Sequence, residues 1–317
     1  MLTVEKFREL VEKYDRIAVF RHTNPDYDAL GSQYGIVRFL RNRYPKKDVR
    51  AGGEENSIDA TFIENPDPMD EEWIKTALAI VVDTSNLNRL DGRELWLKAE
   101  EHVLFDHHHE TEPPIDYNNL VEVDASSCAE ILGQFLREYN EGKILPKDAA
   151  EALYAGIISD SIRFSINTTT AETLRTAAYL LDSGLNVNRI NNKVFSVSMN
   201  AFRFANHLRT IAHYETPGMA WAILDQKDFR PFGLTARGAK TKVSIFGEIR
   251  GIQTWAVFVE EDDGTYSASL RSHSVVIRDI AERYKGGGHD SAAGIPSMTR
   301  EECEEAVQSL IEKVKNA

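Results

Sequence analysis

The sequence predicts an α/β protein in which a doubly wound domain with a parallel sheet precedes a smaller α+β domain. In the first half, short apolar runs alternate with longer stretches whose apolar residues recur at helical spacing, which is typical of such a sheet domain. In the second half, two alternating runs within residues 254–272 flank Asp262, Asp263 and Gly264, and this pattern predicts an antiparallel hairpin. The 317 residues are enough for two domains with separate cores.

The predicted elements of the first half follow from the spacing of their apolar residues. In chain order they are an amphipathic helix at 1–14, a strand at 16–20, a helix at 29–44, strands at 77–84 and 102–108, and helices at 127–140 and 146–160. The run at 77–84 is almost wholly apolar, as expected for a strand that is buried on both faces. Such an order predicts parallel strands, and the ligand site of such a sheet lies beyond the carboxyl ends of the strands.

The pattern changes near Gly184. The stretch 184–200 is rich in asparagine, a helical stretch follows from about Ala201 to Ile211, and strand-like segments come after it. At the end of the chain, Thr299 is a plausible cap for a terminal helix. The predicted organisation is therefore a first domain at 1–184, a linker at 185–211 and a second domain at 212–317.

The charge balance and the cysteine content bear on which partners the protein can bind and on the cellular compartment in which we expect it. The net charge of −13, from 50 acidic and 37 basic residues, argues against binding long duplex nucleic acid but permits a short substrate. No run approaches the roughly 18 apolar residues of a membrane span, and the N-terminus does not resemble a signal peptide. Cys128 and Cys303 lie far apart and suggest neither a disulfide framework nor a zinc motif. We therefore expect a cytoplasmic protein with no membrane partner.

Acidic and histidine side chains follow the predicted strands at the points where the strands end. They are His22, Asp26 and Asp28 after the first strand, Asp83 after the second, Asp106, His107 and His108 at the third, and Asp160 at the end of the helix 146–160. Parallel strands end at one edge of a sheet, so these groups can converge. Clustered carboxylates raise one another's pKa and lose hydration, and divalent cations remove that cost. Asp and His ligands suit manganese, iron or magnesium.

Each of these positions also has an ordinary interpretation. A lone aspartate such as Asp83 commonly caps the next helix, and a lone histidine such as His107 is commonly packed or exposed. Four such sites after successive elements are much harder to explain in this way. The set as a whole therefore predicts a metal site.

The same residues carry a family resemblance. The four successive motifs of the DHH phosphoesterases resemble "HTNPDYDALGS", "VVDTS", "FDHHH" and "YAGIISDS", and the glycine-rich signature of the DHHA1 domain resembles "LRSHSVVIRDIAERYKGGGHDSAAG". The resemblance covers nearly the whole chain in order. The short two-domain layout is similar to the NrnA-like members, which hydrolyse short oligoribonucleotides and dephosphorylate 3′-phosphoadenosine 5′-phosphate. It implies a DHH catalytic domain, a substrate-binding DHHA1 domain and an active site in the cleft between them.

The resemblance also implies roles for particular residues. His22 and Asp26 would bind one metal, Asp28, His107 and Asp160 a second, and Asp83 both. Asp106 would orient a histidine and His108 would face the substrate phosphate, so the implied catalytic residues are Asp83, Asp106 and His108. Arg271, Gly286, Gly287, Gly288 and His289 would bind substrate together with His108. The implied cofactors are two divalent cations, manganese with magnesium as the alternative, which activate water for in-line attack on phosphorus.

Three features depart from the family pattern. Tyr27 occupies a position that is often glycine in the family, and "DSIRF", residues 160–164, lacks the Thr-Gly that often follows the fourth acid. A third histidine, His109, follows Asp106, His107 and His108. None of these departures removes an implied metal ligand. They bear on the choice of substrate.

The glycine-rich segment and the overall function leave alternatives open. Alone, the run 286–288 could be a flexible turn, and it does not match the Gly-x-Gly-x-x-Gly pattern of a dinucleotide site. The expected substrates are short single-stranded RNA or nucleotides. A phosphodiesterase for cyclic dinucleotides, or for linear dinucleotides such as pApA and pGpG, is an alternative, and so is a nucleotide-binding sensor without catalysis. The oligomeric state is open, with a homodimer as one option.

Overall fold

A computed structural model of the chain describes residues 2–55, 63–108, 118–215 and 218–317. It divides into two compact units, Met1–Ser196 and Val197–Ala317. The division falls inside the segment 185–211, for which the sequence predicts a linker. In the structure this segment forms two helices, one in each unit.

The first unit contains a five-stranded, wholly parallel sheet in the order β2-β1-β3-β4-β5. Its elements are α1 (Val4–Lys13), β1 (Arg16–Phe20), α2 (Tyr27–Arg43), β2 (Asp48–Ala51), α3 (Glu71–Ile74), β3 (Ala77–Val82), α4 (Arg93–Trp96), β4 (Glu101–Asp106), β5 (Asn118–Val121), α5 (Cys128–Tyr139), α6 (Lys147–Asp160), α7 (Ala171–Leu181) and α8 (Val187–Phe195). The predicted parallel α/β sheet is confirmed, and β1 has the predicted bounds.

Helices cover both faces of this sheet, so the doubly wound prediction is confirmed as well. On one face Ile17 and Val19 pack into a core shared with α1, α2, α5 and α6. On the other face Phe20 packs with Trp73 of α3 and Trp96 of α4. All six residues of β3 are fully buried, which explains why its sequence is continuously apolar.

The second unit is a smaller α+β unit with a mixed six-stranded sheet in the order β10-β11-β9-β8-β7-β6. Its elements are α9 (Met199–Ile211), β6 (His213–Glu215), β7 (Met219–Leu224), α10 (Gln226–Phe229), α11 (Ala236–Lys240), β8 (Thr254–Glu260), β9 (Tyr266–Ser272), α12 (Arg278–Arg283), β10 (Gly287–Gly288), β11 (Ala292–Met298) and α13 (Arg300–Lys315), with short 3₁₀ turns at Arg230–Phe232 and Thr241–Phe246. Only β7 and β8 run parallel, and the other described pairs are antiparallel.

Two local predictions in the second unit are confirmed. β8 and β9 form the predicted antiparallel hairpin, and Gly264 in its turn adopts a positive φ of 82°, which glycine tolerates without steric cost. Thr299 caps α13, because its hydroxyl accepts from the Glu302 amide and the Glu302 side chain accepts from the Thr299 amide.

Some elements have no clear sequence signal. β2 and β5 are four-residue strands at the sheet edges, and their mixed polar and apolar residues match neither strand nor helix spacing. They form because β1 and β4 offer a free backbone edge to the chain that returns beside them. Among the described residues, no helix is both long enough and apolar enough to cross a membrane.

Candidate metal and substrate site

The carboxyl ends of β1, β3 and β4 are neighbours in the first unit, because β3 lies between the other two strands. The side chains that follow these strands meet there, together with the last residue of α6. They form three groups with metal-ligand spacing: His22, Asp26 and Asp83; Asp28, His107 and Asp160; and Asp83, His107 and His108. In each group the candidate ligand atoms lie within 4.8 Å of one another. The structure thus brings together every sequence-predicted metal ligand.

Asp83 belongs to two of the three groups and links them. Its side chain is almost fully buried, with Oδ2 3.3 Å from His22 Nε2 and Oδ1 3.4 Å from His107 Nε2. It follows β3 directly and has a positive φ of 61°, a conformation that costs a non-glycine residue roughly 1 kcal/mol or more. Asp83 therefore does not cap a helix, and its backbone places each carboxylate oxygen against a different histidine.

Asp26 serves as the N-cap of α2. Its Oδ1 accepts from the amides of Asp28 and Ala29 at 3.0 Å each, so the ordinary capping interpretation holds for this residue. The same oxygen is 4.0 Å from His22 Nε2, and the side chain is 57% exposed. Capping fixes the carboxylate beside His22, which makes the two roles compatible.

Asp28 is fully buried and binds the N-terminus of α5. Its two oxygens accept from the amides of Cys128, at 2.7 Å, and Ala129, at 2.9 Å. A Cβ on Gly156 of α6 would lie 2.9 Å from Asp28 Oδ1 and 2.6 Å from the Ala129 side chain, so only glycine leaves room for this contact. The helix end and its unpaired amides favour a carboxylate at this point.

His107 connects Asp28 with Asp160. Its Nε2 is 3.7 Å from Asp28 Oδ2 and 3.6 Å from Asp160 Oδ2. Its Nδ1 is 3.4 Å from the carbonyl oxygen of Ala125, which points the other ring nitrogen toward the carboxylates. Asp160 is the last residue of α6, as the sequence predicts.

Asp106 organises the turn that carries the two histidines. Its Oδ1 accepts from the amides of His107, at 2.9 Å, and His108, at 3.3 Å, and lies 2.8 Å from His108 Nδ1. With Nδ1 held in this way, Nε2 of His108 is the ring nitrogen left for another partner. Asp106 itself is fully buried and belongs to none of the three groups.

Burial and mutual repulsion set the pKa values of the carboxylates. Burial raises the pKa of Asp28 well above its usual range, and the Asp83 and Asp160 charges raise it further. Burial, followed by the charges of Asp26 and Asp83, raises the pKa of Asp160 to about 8. At neutral pH and without a cation, the Asp160 carboxyl therefore largely keeps a proton that an ordinary surface carboxyl would lose.

The pKa values of His22 and His107 are raised, although burial by itself would lower them. Burial alone would lower the pKa of His107, but contact with Asp83 and the charges of Asp28 and Asp160 raise it to about 10. For Asp83, burial alone would raise the pKa, but the facing imidazoles of His107 and His22 hold it below its usual range. The carboxylates thus favour the protonated form of His107, and the imidazoles favour the charged form of Asp83.

Buried polar atoms at the site show that its residues suit a bound cation. Among the described residues, Asp83 Oδ1, Asp106 Oδ2 and His107 Nε2 are buried without a hydrogen-bond partner. His22 Nδ1 lies 2.8 Å from the Thr23 carbonyl oxygen, an arrangement that leaves Nε2 to accept a metal, as in many metal sites. Carboxylate oxygens and imidazole nitrogens are suitable ligands for a divalent cation. The clusters could therefore hold metal ions.

Binding of Mn²⁺ to this site is expected to release protons at pH 7. With a pKa of about 8, the Asp160 carboxyl is mostly protonated at that pH, and a cation must displace the proton. Affinity should therefore rise with pH between 6 and 8, by up to about tenfold per pH unit for each proton displaced. Calorimetric titration in buffers of different ionisation enthalpy measures the released protons. Equal affinity at pH 6 and pH 8 would contradict the pKa assigned to Asp160.

A buried ion pair that the residue pattern did not predict stabilises the backbone at His22. Arg21 is fully buried, and its Nη1 donates to Asp91 Oδ2 at 2.5 Å and to the His22 carbonyl oxygen at 3.3 Å. Nη2 donates to the Glu54 carbonyl oxygen at 2.7 Å. The position of Arg21, directly after the apolar residues 17–20 of β1, was the available signal. A buried arginine charge requires such partners, so Arg21 holds the segments that contain Glu54 and Asp91 against the end of β1.

The N-terminus of α5 is a second feature without a separate prediction. Ser127 caps it through the Glu130 amide at 3.0 Å, and the Glu130 carboxylate accepts from the Ser126 hydroxyl at 2.6 Å and from Thr173 at 3.0 Å. The Ser-x-x-Glu spacing of "SCAE" was the signal for this start. The network fixes the amides that bind Asp28.

The second unit places the predicted substrate residues at one end of its sheet. Arg271 on β9 pairs with Ala292 on β11, and the His289 amide donates to the Ala292 carbonyl oxygen at 2.8 Å. Arg271 is partly buried and donates through Nη1 to the Leu270 carbonyl oxygen at 2.8 Å. The predicted group is therefore close together within this unit.

Two of the three glycines have a packing role. A Cβ on Gly286 would lie 2.2 Å from the Gly294 carbonyl oxygen, and one on Gly288, whose φ is 134°, would lie 2.5 Å from that of Ala292. Glycine is thus required where this segment approaches β11. A Cβ on Gly287 would meet no atom of the described residues within 4 Å, so packing does not require glycine there.

Comparison with known proteins agrees with this architecture. Residues 16–157 match the DHH family, N-terminal domain, and residues 220–316 match the DHHA1 domain. The chain therefore belongs to the DHH family of phosphoesterases, with a DHHA1 domain in its second half, and the predicted family is confirmed.

Its similarity to particular members is more specific. The chain is 35% identical over 302 residues to the probable bifunctional oligoribonuclease and PAP phosphatase NrnA of Streptococcus mutans, covering 95% of each chain. It is 34% identical over 304 residues to the bifunctional oligoribonuclease and PAP phosphatase NrnA of Bacillus subtilis, again over 95% of each. The crystal structure of an exopolyphosphatase-related protein from Bacteroides fragilis shares the fold, with a TM-score of 0.85 and 21% identity over 98% of this chain and 97% of that one.

Proposed function

We propose that this protein is a metal-dependent phosphoesterase that hydrolyses short oligoribonucleotides to mononucleotides and dephosphorylates 3′-phosphoadenosine 5′-phosphate. The observation that carries the proposal is the set of three carboxylate and histidine groups, which Asp83 and His107 link because each belongs to two of them. The names of the 35% and 34% identical relatives supply the two substrates. The fold alone would support many hydrolytic reactions.

The proposed metal ligands divide between two cations. His22 and Asp26 would hold one, Asp28, His107 and Asp160 would hold the other, and Asp83 would contribute to both. Bound divalent cations would activate a water molecule and stabilise negative charge on the phosphate oxygens. The mixture of carboxylate and imidazole ligands favours Mn²⁺, with Mg²⁺ as the alternative.

Other residues act on the substrate through hydrogen bonds. Asp106 orients His108 through the 2.8 Å contact with Nδ1, so that Nε2 can donate to a phosphate oxygen. In the second unit, the Arg271 guanidinium and His289 are proposed to bind a substrate phosphate, and the 286–288 segment to approach it with its backbone. We propose that Asp83, Asp106 and His108 are the residues on which catalysis depends most.

A substrate panel tests the function directly. The purified protein is incubated with MnCl₂ and with dinucleotides to decanucleotides of RNA, 3′-phosphoadenosine 5′-phosphate, linear and cyclic dinucleotides and pyrophosphate, and the products are followed over time. We expect mononucleotides from the shortest RNAs and inorganic phosphate from 3′-phosphoadenosine 5′-phosphate, both abolished by a chelator.

Three results would contradict the proposal. Turnover of cyclic dinucleotides alone would favour the phosphodiesterase alternative. Tight nucleotide binding without any product would favour a sensor. Hydrolysis that persists at full rate after chelation and dialysis would exclude the metal-dependent chemistry.

A further inference from the structure

Of the three features that depart from the family pattern, His109 lies outside the described residues, and the other two contact the same helix, α8. The Tyr27 hydroxyl donates to the Lys193 carbonyl oxygen at 3.1 Å. The Arg163 Nε donates to Asn191 Oδ1 at 3.2 Å, and the Arg163 guanidinium carbon lies 3.6 Å from the centroid of the Phe195 ring. Helix α8 is therefore bonded to two separate parts of the chain within five of its residues.

Each of those parts carries proposed metal ligands. Tyr27 lies between Asp26 and Asp28, in the first turn of α2, so its side chain and the two carboxylates share one short stretch of backbone. Arg163 follows Asp160 by three residues in the turn that ends α6. In each segment, the proposed metal ligand and the residue that contacts α8 are thus too close in sequence to move independently.

The turn after Asp160 is strained. Ile162, Arg163 and Phe164 have consecutive positive φ values of 45°, 58° and 65°, and each left-handed non-glycine residue costs roughly 1–2 kcal/mol. The strain is greatest for Ile162, because its side chain is β-branched. Hydrogen bonds offset part of this cost, since the Phe164 amide donates to Ser161 Oγ at 3.0 Å and the Arg163 amide to the Ile158 carbonyl oxygen at 2.9 Å. The contacts of the Arg163 side chain with α8 hold the turn from outside.

Helix α8 is also anchored to the sheet core and to α6 of the first unit. Ile190 is 2% exposed and lies in the core that also contains the sheet residues Ile17 and Val19. The Arg189 guanidinium donates to the Glu151 carboxylate of α6. The helix ends at Phe195, directly before the division between the two compact units. Its position can therefore affect the ligand segments without any contact with a ligand atom.

We propose that α8 is a positioning element for the metal site, with Tyr27 and Arg163 as the positioning residues that couple it to the two ligand segments. The inference rests on the proposed metal site. When cations fix Asp26, Asp28 and Asp160, the adjoining Tyr27 and Arg163 side chains are held against α8, and the helix becomes more ordered. Because coupling between two equilibria is reciprocal, loss of the α8 contacts weakens metal binding by the same factor.

Hydrogen exchange and metal binding together test the coupling. The full chain is examined with and without MnCl₂, as wild type and as the variants Tyr27→Phe and Arg163→Gln. In the wild type, Mn²⁺ should slow exchange of the amides at 190–196. Each variant should show less of this protection and bind Mn²⁺ about three- to tenfold more weakly, the range expected for loss of one hydrogen bond or ring contact.

Two matched variants control for side-chain loss. Tyr179→Phe removes a hydroxyl that also donates to a backbone carbonyl oxygen, that of Lys143 at 2.7 Å, and Arg175→Gln removes an arginine that pairs with Glu172 at 3.0 Å. Both should leave Mn²⁺ affinity and the protection of α8 unchanged. Arg163→Lys keeps a cation for Phe195 and should recover part of the affinity that Arg163→Gln loses.

The outcomes separate the coupling from the function. Unchanged exchange at 190–196 in a wild-type protein that binds Mn²⁺ and hydrolyses substrate would overturn the coupling and leave the proposed function intact. Wild-type Mn²⁺ affinity in both Tyr27→Phe and Arg163→Gln would overturn it as well. A wild-type protein that binds no Mn²⁺ would overturn the metal site and the coupling with it. Equal unfolding midpoints without metal ensure that weaker binding does not reflect misfolding.

Discussion

Replacing Asp83 by asparagine is expected to lower hydrolysis of both substrates by about a thousandfold. The substitution keeps the shape of the side chain but removes the charge shared by the facing His22 and His107 nitrogens, at 3.3 and 3.4 Å. A bound cation supplies several kcal/mol of charge stabilisation, and about 4 kcal/mol corresponds to three orders of magnitude in rate. Initial rates with a trinucleotide and with 3′-phosphoadenosine 5′-phosphate, at saturating MnCl₂, measure the effect.

Asp15→Asn is the matched control for this variant. Asp15 has the same side chain, which is 97% exposed and lies 3.6 Å from the Lys47 ammonium. This variant should hydrolyse both substrates at the wild-type rate. If Asp83→Asn did the same, Asp83 would not lie at the reacting centre.

The second large effect concerns stability. Saturating Mn²⁺ is expected to raise the unfolding midpoint of the first unit by roughly 5–10 °C. At a concentration about 100 times Kd, a ligand that binds only the folded state stabilises it by about 2.7 kcal/mol, and about 1 kcal/mol shifts a domain of this size by roughly 2–4 °C. The physical reason is the cluster of carboxylates at Asp28, Asp83 and Asp160, of which the first two are buried and the third is partly buried, and whose mutual repulsion the cation relieves. Scanning calorimetry measures the shift.

The Asp83→Asn variant also distinguishes the origin of this stabilisation. It lacks the carboxylate that belongs to two of the three groups, so MnCl₂ should raise its unfolding midpoint much less than that of the wild type. An equal rise in both proteins would mean that Mn²⁺ acts through the many acidic groups of the surface, and the proposed site would not account for the stabilisation.

Much of the first unit was predictable because its signals are local. The apolar runs at β1, β3 and β4 are buried on one or both faces. Such runs can be recognised in the sequence without knowing which elements pack on them. The convergence of the candidate metal ligands was predictable for a related reason. Parallel strands place their carboxyl ends at one edge, so acids after β1, β3 and β4 must come near one another once the sheet is accepted.

Other features depend on contacts between distant residues. Asp28 binds amides 100 and 101 positions away, and Arg21 reaches Asp91 across 70 positions. Short edge strands such as β2 depend on a neighbour for their hydrogen bonds. No spacing within a short window records such pairings, so residue patterns alone could not predict them.

By itself, the sequence determined the order of the elements, the family and the set of residues able to hold metal ions, because these depend on residue type and spacing along the chain. Only the tertiary structure decided which local contacts each of those residues makes. It showed that Asp26 is also a helix cap, that Asp28 lies against the α5 N-terminus and that Asp83 presents its two oxygens to different histidines. Such assignments depend on distances and directions, which arise only when separate strands and helices are packed together.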